Sequence, residues 1–177
     1  MAPGQGLDVA GMAQTVLNGI VDHYATVAAD VALPERQIIA AGNPRMVAWD
    51  CEQVVVTMSG IGNGAAPGTG DQPRGVGSQI SSMGVRHTVL VAQVVRCHPE
   101  SPDGTTPPDS AEVTKAGLVS MRDAGLLSQA LISIATRLTG GLPKGSRAQA
   151  GAVETLGPEG GFSGLEGSIA VTVASLV

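Results

Sequence analysis

Between Asp8 and Ala29 apolar residues recur at spacings of three and four: Val9, Met12, Ala13, Val16, Leu17, Ile20, Tyr24, Val27 and Ala28. That period predicts an amphipathic helix with a single apolar stripe. Gln14, Asn18, Asp22 and His23 fall toward its other side. Asp8 is placed to cap its start, and Leu33-Pro34 closes the segment. The pattern then changes. Arg36 to Ala41 reads as a short strand and Gly42-Asn43-Pro44 as a turn. Trp49 to Ser59 carries Val54-Val55-Val56, a β-branched run typical of a buried strand. Residues 60–77 are mostly Gly, Ala, Pro, Asn, Asp and Thr and are expected to form a long loop. Arg86 to Cys97, with Val89, Leu90, Val91, Val94 and Val95, reads as a strand pairing antiparallel with the previous one across that loop.

Residues 98–108 form a second, Pro-rich loop. Asp109 to Glu112 then fits a capping box, with Asp109 as N-cap and Glu112 reaching back. The helix that follows is predicted to run to about Leu138, with Val113, Gly117, Ala124, Leu127, Leu131, Ile134 and Leu138 on one stripe. Leu118, Met121, Leu126 and Ile132 widen its apolar surface beyond one face. Such a helix needs cover on more than one side, from the sheet and from a neighbouring subunit. Gly140 to Pro143 ends it. Ala152 to Leu156 reads as a strand and residues 157–161 as its turn. A last strand alternates, with Leu165, Gly167, Ile169, Val171 and Val173 on one face. The expected architecture is α+β over a single domain, residues 1–177: a mostly antiparallel sheet with two amphipathic helices packed on it, in the order α-β-β-β-α-β-β.

Composition narrows the function classes. Of 177 residues, 43% are hydrophobic but only 2% aromatic, so the core is aliphatic and few rings are present on which bases or sugars could stack. A formal charge of −5 argues against tight phosphate binding but does not exclude DNA passing through a negatively lined pore, where repulsion keeps the polymer sliding. Met1 to Gly6 shows no basic region followed by an apolar run, and no apolar stretch is long enough to span a bilayer. The expectation is a soluble protein made in a reducing cytoplasm.

Candidate chemistry is sparse. Gly60-Ile61-Gly62-Asn63-Gly64 lacks the spacing of a dinucleotide loop, and Leu142 to Ser146 is not a Walker loop. Cys51, Cys97, His87 and His98 lack zinc-ligand spacing. If the two long strands pair, Cys51 lies close to Cys97. Neighbouring buried thiols are the leading reading, with a disulfide or a metal as alternatives. Asp22-His23 and Arg122-Asp123 read as solvated helix faces, with a salt bridge across a subunit contact as the sharper alternative for the second pair. No serine sits in a nucleophile elbow and no Ser/His/Asp grouping is defensible. No catalytic residue, cofactor site or metal site is therefore assigned, and the chain is not expected to be an enzyme.

Four segments, taken together, carry a resemblance. They are Met12 to Val21 with Ala32 to Gln37, Asp50 to Val56, Thr88 to Cys97, and Gly157 to Gly164 before the final strand. In this order they resemble the tail terminator (neck, head–tail joining) proteins of long-tailed bacteriophages, especially those of mycobacteria and related hosts. The resemblance implies a hexameric ring, built from copies of the chain, that caps the tail tube and stops its elongation. It implies docking on a head-completion or stopper protein, a lumen for genomic DNA without sequence-specific binding, no membrane, and residence in the virion after assembly in the host cytoplasm. The residues expected at contacts are Gly60, Ile61, Asn63, Pro67, Asp71, Arg74, His98, Asp103, Arg122, Asp123, Glu159 and Phe162. Competing readings are another neck component (stopper or adaptor) or a tail tube protein. A different class would be a small-molecule-binding α+β module or enzyme, or a dimeric host regulator.

Overall fold

The structure is a computed structural model and describes residues 8–28, 31–42, 51–63, 85–101, 103–159 and 161–174. The expected α+β fold is present. Helix α1 (Val9–Val27) is followed by β1 (Arg36–Ala41), β2 (Gln53–Asn63) and β3 (Val85–Cys97), then helix α2 (Ser110–Gly141), then β4 (Arg147–Ala150), β5 (Glu154–Glu159) and β6 (Phe162–Ala174). The strands form one sheet in the order β1-β2-β3-β6-β4, with β5 also on β6. Pairing is antiparallel except for β1, which lies parallel to β2.

Both helices start where an aspartate accepts from free N–H groups of the first turn. Asp8 takes the amide of Gly11 at 2.9 Å; Asp109 takes those of Ala111 and Glu112 at 2.8 and 3.1 Å. The core lies between the helices and one face of the sheet. Val16, Leu17, Ile20 and Tyr24 of α1 and Leu127, Leu131 and Ile134 of α2 meet Val54, Val56, Leu90, Val94, Leu165, Ile169 and Val171. The two helices touch closely at Gly19, where a Cβ would stand 2.6 Å from a side-chain carbon of Ile134. Alternation along β6 follows the period-two pattern, and the buried run at Gln53 to Thr57 shows the first half of β2 shielded on both faces.

Two expectations are corrected. The chain has one strand more than expected: β4 holds no β-branched residue, so propensity did not reveal it. Its pairing with β6, together with the Ala148 amide donating to the Thr139 hydroxyl at 2.8 Å, forms it. The first loop also begins later than expected. Gly60, Ile61 and Asn63 belong to β2, because Arg86 to Val89 continue β3 opposite them past an irregularity between Met58 and Gly60. Gly62 lies under the His87 ring, which a Cβ there would strike at 2.5 Å. Gly60 and Gly62 are thus strand positions, and Gly62 has a packing reason for lacking a side chain.

Leu131 is 1% exposed at the centre of this core. Leu131→Ala is expected to lower unfolding free energy by about 2–5 kcal/mol, and Leu131→Asp to prevent folding. Denaturant titration and far-UV circular dichroism read both outcomes.

Candidate functional site

Strand β3 places residues 90, 92 and 94 toward the helices, and Arg96 continues that side. Asp123 lies on the core side of α2, four residues before Leu127, and is fully buried. The two meet. Arg96 Nε donates to Asp123 Oδ2 at 2.9 Å and Nη2 donates to Oδ1 at 3.1 Å, a two-pronged ion pair with side-chain exposures of 13% and 0%. Arg96 Nη1 donates to Glu52 Oε2 at 3.0 Å, and Nη2 also donates to the Ala32 carbonyl at 2.8 Å. One guanidinium thus fastens β3 to α2, to the entry of β2 and to the segment after α1.

Glu52 is held from a second direction, its Oε1 accepting from the Cys97 amide at 3.3 Å. Its φ of 59° lies in the left-handed region. For a residue with a side chain that costs about 1–2 kcal/mol, offset here by the charged contacts. The neighbouring Cys51 is joined to Cys97 by a disulfide, with Cα atoms 4.8 Å apart. The register explains the meeting: Gln53 pairs with Val95, so two residues further out Cys51 comes opposite Cys97. This corrects the reading of the pair as free thiols. The bridge closes a loop of 46 residues, which in the chain-entropy description stabilises the fold by about 4 kcal/mol.

The electrostatics follow from burial. Desolvation works against the Arg96 charge, but the hydrogen bonds and charge of Asp123, then those of Glu52, outweigh it and hold the guanidinium above its ordinary value. The Tyr24 hydroxyl donates to the Asp123 backbone carbonyl at 3.3 Å. Burial first, then the Asp123 charge, raise the phenol well beyond its ordinary 10.0.

Two open clefts flank the pair. One of about 440 Å³ is lined by Glu52, Arg96, Cys97, His98, Glu112 and Lys115 among others. The other, about 380 Å³, is lined by Leu33, Glu35, Arg36, Cys51, Glu52 and Arg96 among others. Of the five N–H donors a guanidinium carries, Arg96 directs four at protein oxygens. The arrangement therefore fixes geometry and has little left with which to grip a substrate. Among the described residues no group of His, Cys, Asp and Glu is arranged to hold a metal ion.

The residues expected at contacts separate into several places. Asp123 is a correction: it is neither solvated nor available to another subunit, because it is spent on Arg96. Arg122, its neighbour, is exposed. Ile61 is 58% exposed and Asn63 is exposed, both at the far end of β2. His98 and Phe162 lie together beside the disulfide: the His98 amide donates to the Gly161 carbonyl at 2.7 Å, and Phe162 pairs with Cys97. Glu159 pairs with Phe162 across the β5–β6 turn. Asp103 is exposed and organises its own loop, accepting from the amides of Thr105 and Thr106 and from the Thr106 hydroxyl. Those bonds, Thr106's amide foremost, hold its carboxyl well below the usual carboxylate range. Pro67, Asp71 and Arg74 lie outside the described residues. Arg96, Glu52 and Tyr24 were not singled out from sequence. The available signal was a charge on the core-facing side of β3 matched by an acid in the apolar stripe of α2.

No protein-family model matches the chain, and no curated protein matches it.

Two outcomes are expected. Asp123→Ala strands a buried guanidinium and should cost about 3–5 kcal/mol in a denaturant titration. The second concerns pH. Because the folded state holds the Tyr24 phenol neutral, the stability this contributes is fully present below pH 10.0 and is lost as pH rises above it, by about 1.4 kcal/mol per pH unit. The chain has a single tyrosine, so phenolate absorbance should appear only with unfolding, and Tyr24→Phe should remove that slope.

Proposed function

We propose that this chain is a structural subunit, without catalytic machinery of its own, that closes into a ring with copies of itself. We identify that ring with the tail terminator of a long-tailed bacteriophage. The observation that carries the ring is the pair of unlike edges on the sheet. At one end lies β1, exposed at Arg36, Gln37, Ile39 and Ala41. At the other, β4 and β5 run in succession along β6, interrupted at residues 151–153. Among the described residues no strand pairs beyond either end, and such an edge offers a row of backbone donors and acceptors to another chain. Joining one edge to the different edge of the next copy is a heterologous contact, and such contacts close into rings when the rotation between copies permits.

Three further features support the reading. The charged cluster is consumed in holding segments together, as expected of a rigid building block. The formal charge of −5 suits a lumen that lets genomic DNA slide without specific binding. The Cys51–Cys97 disulfide suits a particle that leaves a reducing cytoplasm. In this role the partners are further copies of the chain, six to a ring, the tail tube protein on one side and the head-completion or stopper protein on the other.

Mass measurement and electron imaging of the purified chain test the ring. The expected result is an annulus with a central opening. Ile39 is 42% exposed, so Ile39→Lys should leave the circular dichroism spectrum unchanged while a charge on the edge blocks strand pairing and removes the rings. Rings that persist with Ile39→Lys would overturn the edge-to-edge contact.

A further inference from the structure

The side of α2 that faces away from the core carries its own apolar line. Leu118, Met121 and Ile132 are 63%, 75% and 58% exposed. With Gly125 between them they stand at the three-then-four spacing of a helix-packing seam. Gly125 is open, since a Cβ built there meets nothing within 4 Å. Glycine inside a helix is less favourable than alanine, and among the described residues none occupies the space its missing side chain leaves. Gly19 differs, because Ile134 and Arg137 fill that space. A bare backbone in the middle of an exposed apolar line permits close approach by another helix.

Apart from Met121, whose mirror position is Gln129, the line is symmetric about Gly125. Leu118 and Ile132 stand seven residues to either side of it, and Thr114 and Thr136 eleven. Two antiparallel copies of α2 crossing at Gly125 therefore bring Leu118 level with the second copy's Ile132, and Thr114 level with its Thr136. Charges are also accommodated. Lys115 comes level with Ala135 of the second copy, Arg122 with its Ser128, and Arg137 with its Val113. A parallel pairing in register would instead set Arg122 against Arg122 and Lys115 against Lys115.

We propose that α2 pairs antiparallel with α2 of a second copy, in a two-fold contact centred on Gly125. A contact of this kind is self-complementary and joins copies two by two. It uses a different surface from the sheet edges, and it stands independently of the ring.

Cysteine linking tests it on the full chain, because Cys51 and Cys97 are already joined and an introduced thiol is the free one. In a buffer of oxidised glutathione, Gly125→Cys should form a covalent dimer. The two introduced thiols give up two electrons and two protons, and the glutathione disulfide is reduced to two thiols. Leu118→Cys alone should not link, whereas Leu118→Cys combined with Ile132→Cys should. Sedimentation gives a second reading: the unmodified chain should associate through this seam, and Leu118→Glu should weaken that association by about tenfold or more with the circular dichroism spectrum unchanged. The proposal is overturned if Gly125→Cys stays monomeric, if Leu118→Cys links to itself as readily as Gly125→Cys, or if Leu118→Glu leaves association untouched. Failure of the ring would show differently, as linked pairs that never close into an annulus.

Discussion

The fold is tied together at one guanidinium. Arg96 leaves β3 on the helix-facing side and reaches Asp123 on α2, Glu52 at the entry to β2 and the Ala32 carbonyl after α1. Burying such a pair costs several kcal/mol in desolvation, recovered only when the geometry is close and the remaining donors are satisfied. Here the geometry is close, and four of the five guanidinium donors reach protein oxygens. What the pair confers is position: it sets where α2 crosses the sheet, and so where the outward side of α2 and the sheet edges lie. The disulfide between Cys51 and Cys97 closes the same end of the β2–β3 ladder, so that end of the sheet is fixed covalently as well as by charge.

Most of the fold was legible in the chain because its largest free-energy term, apolar burial, leaves a periodic trace. The start of α1, the capped start of α2, the β2–β3 hairpin and the alternation in β6 all follow from that trace. Two features escaped because their causes are tertiary. Strand β4 has no propensity of its own and forms through β6 and the Thr139 hydroxyl. The glycines at Gly60 and Gly62 looked like loop residues, yet β3 is long enough to pair with them.

The candidate site was less legible, for a different reason. A charged residue on a helix surface and one in a helix core look alike in a one-dimensional pattern, and exposed pairs are far the commoner. Asp123 was read with Arg122 as a solvated pair, although its position four residues before Leu127 sets it on the core side. The register also brings together Cys51 and Cys97, whose proximity follows from strand pairing in the sequence, which ranks free thiols ahead of the disulfide that the structure holds. Charges and sulfurs that turn inward to hold the frame leave the outer surfaces to perform the function. In this chain those surfaces include the exposed apolar side chains of α2 and the edge strand β1, the parts that the proposed self-contacts use.

In the proposed role this protein works by self-contact at the end of a tube. The direct measurement is the length distribution of phage tail tubes polymerising with and without the purified chain, read by electron microscopy. In that role, added protein halts growth and leaves a ring at the tube end. Tubes that lengthen unchecked, with no density added at their ends, would contradict it.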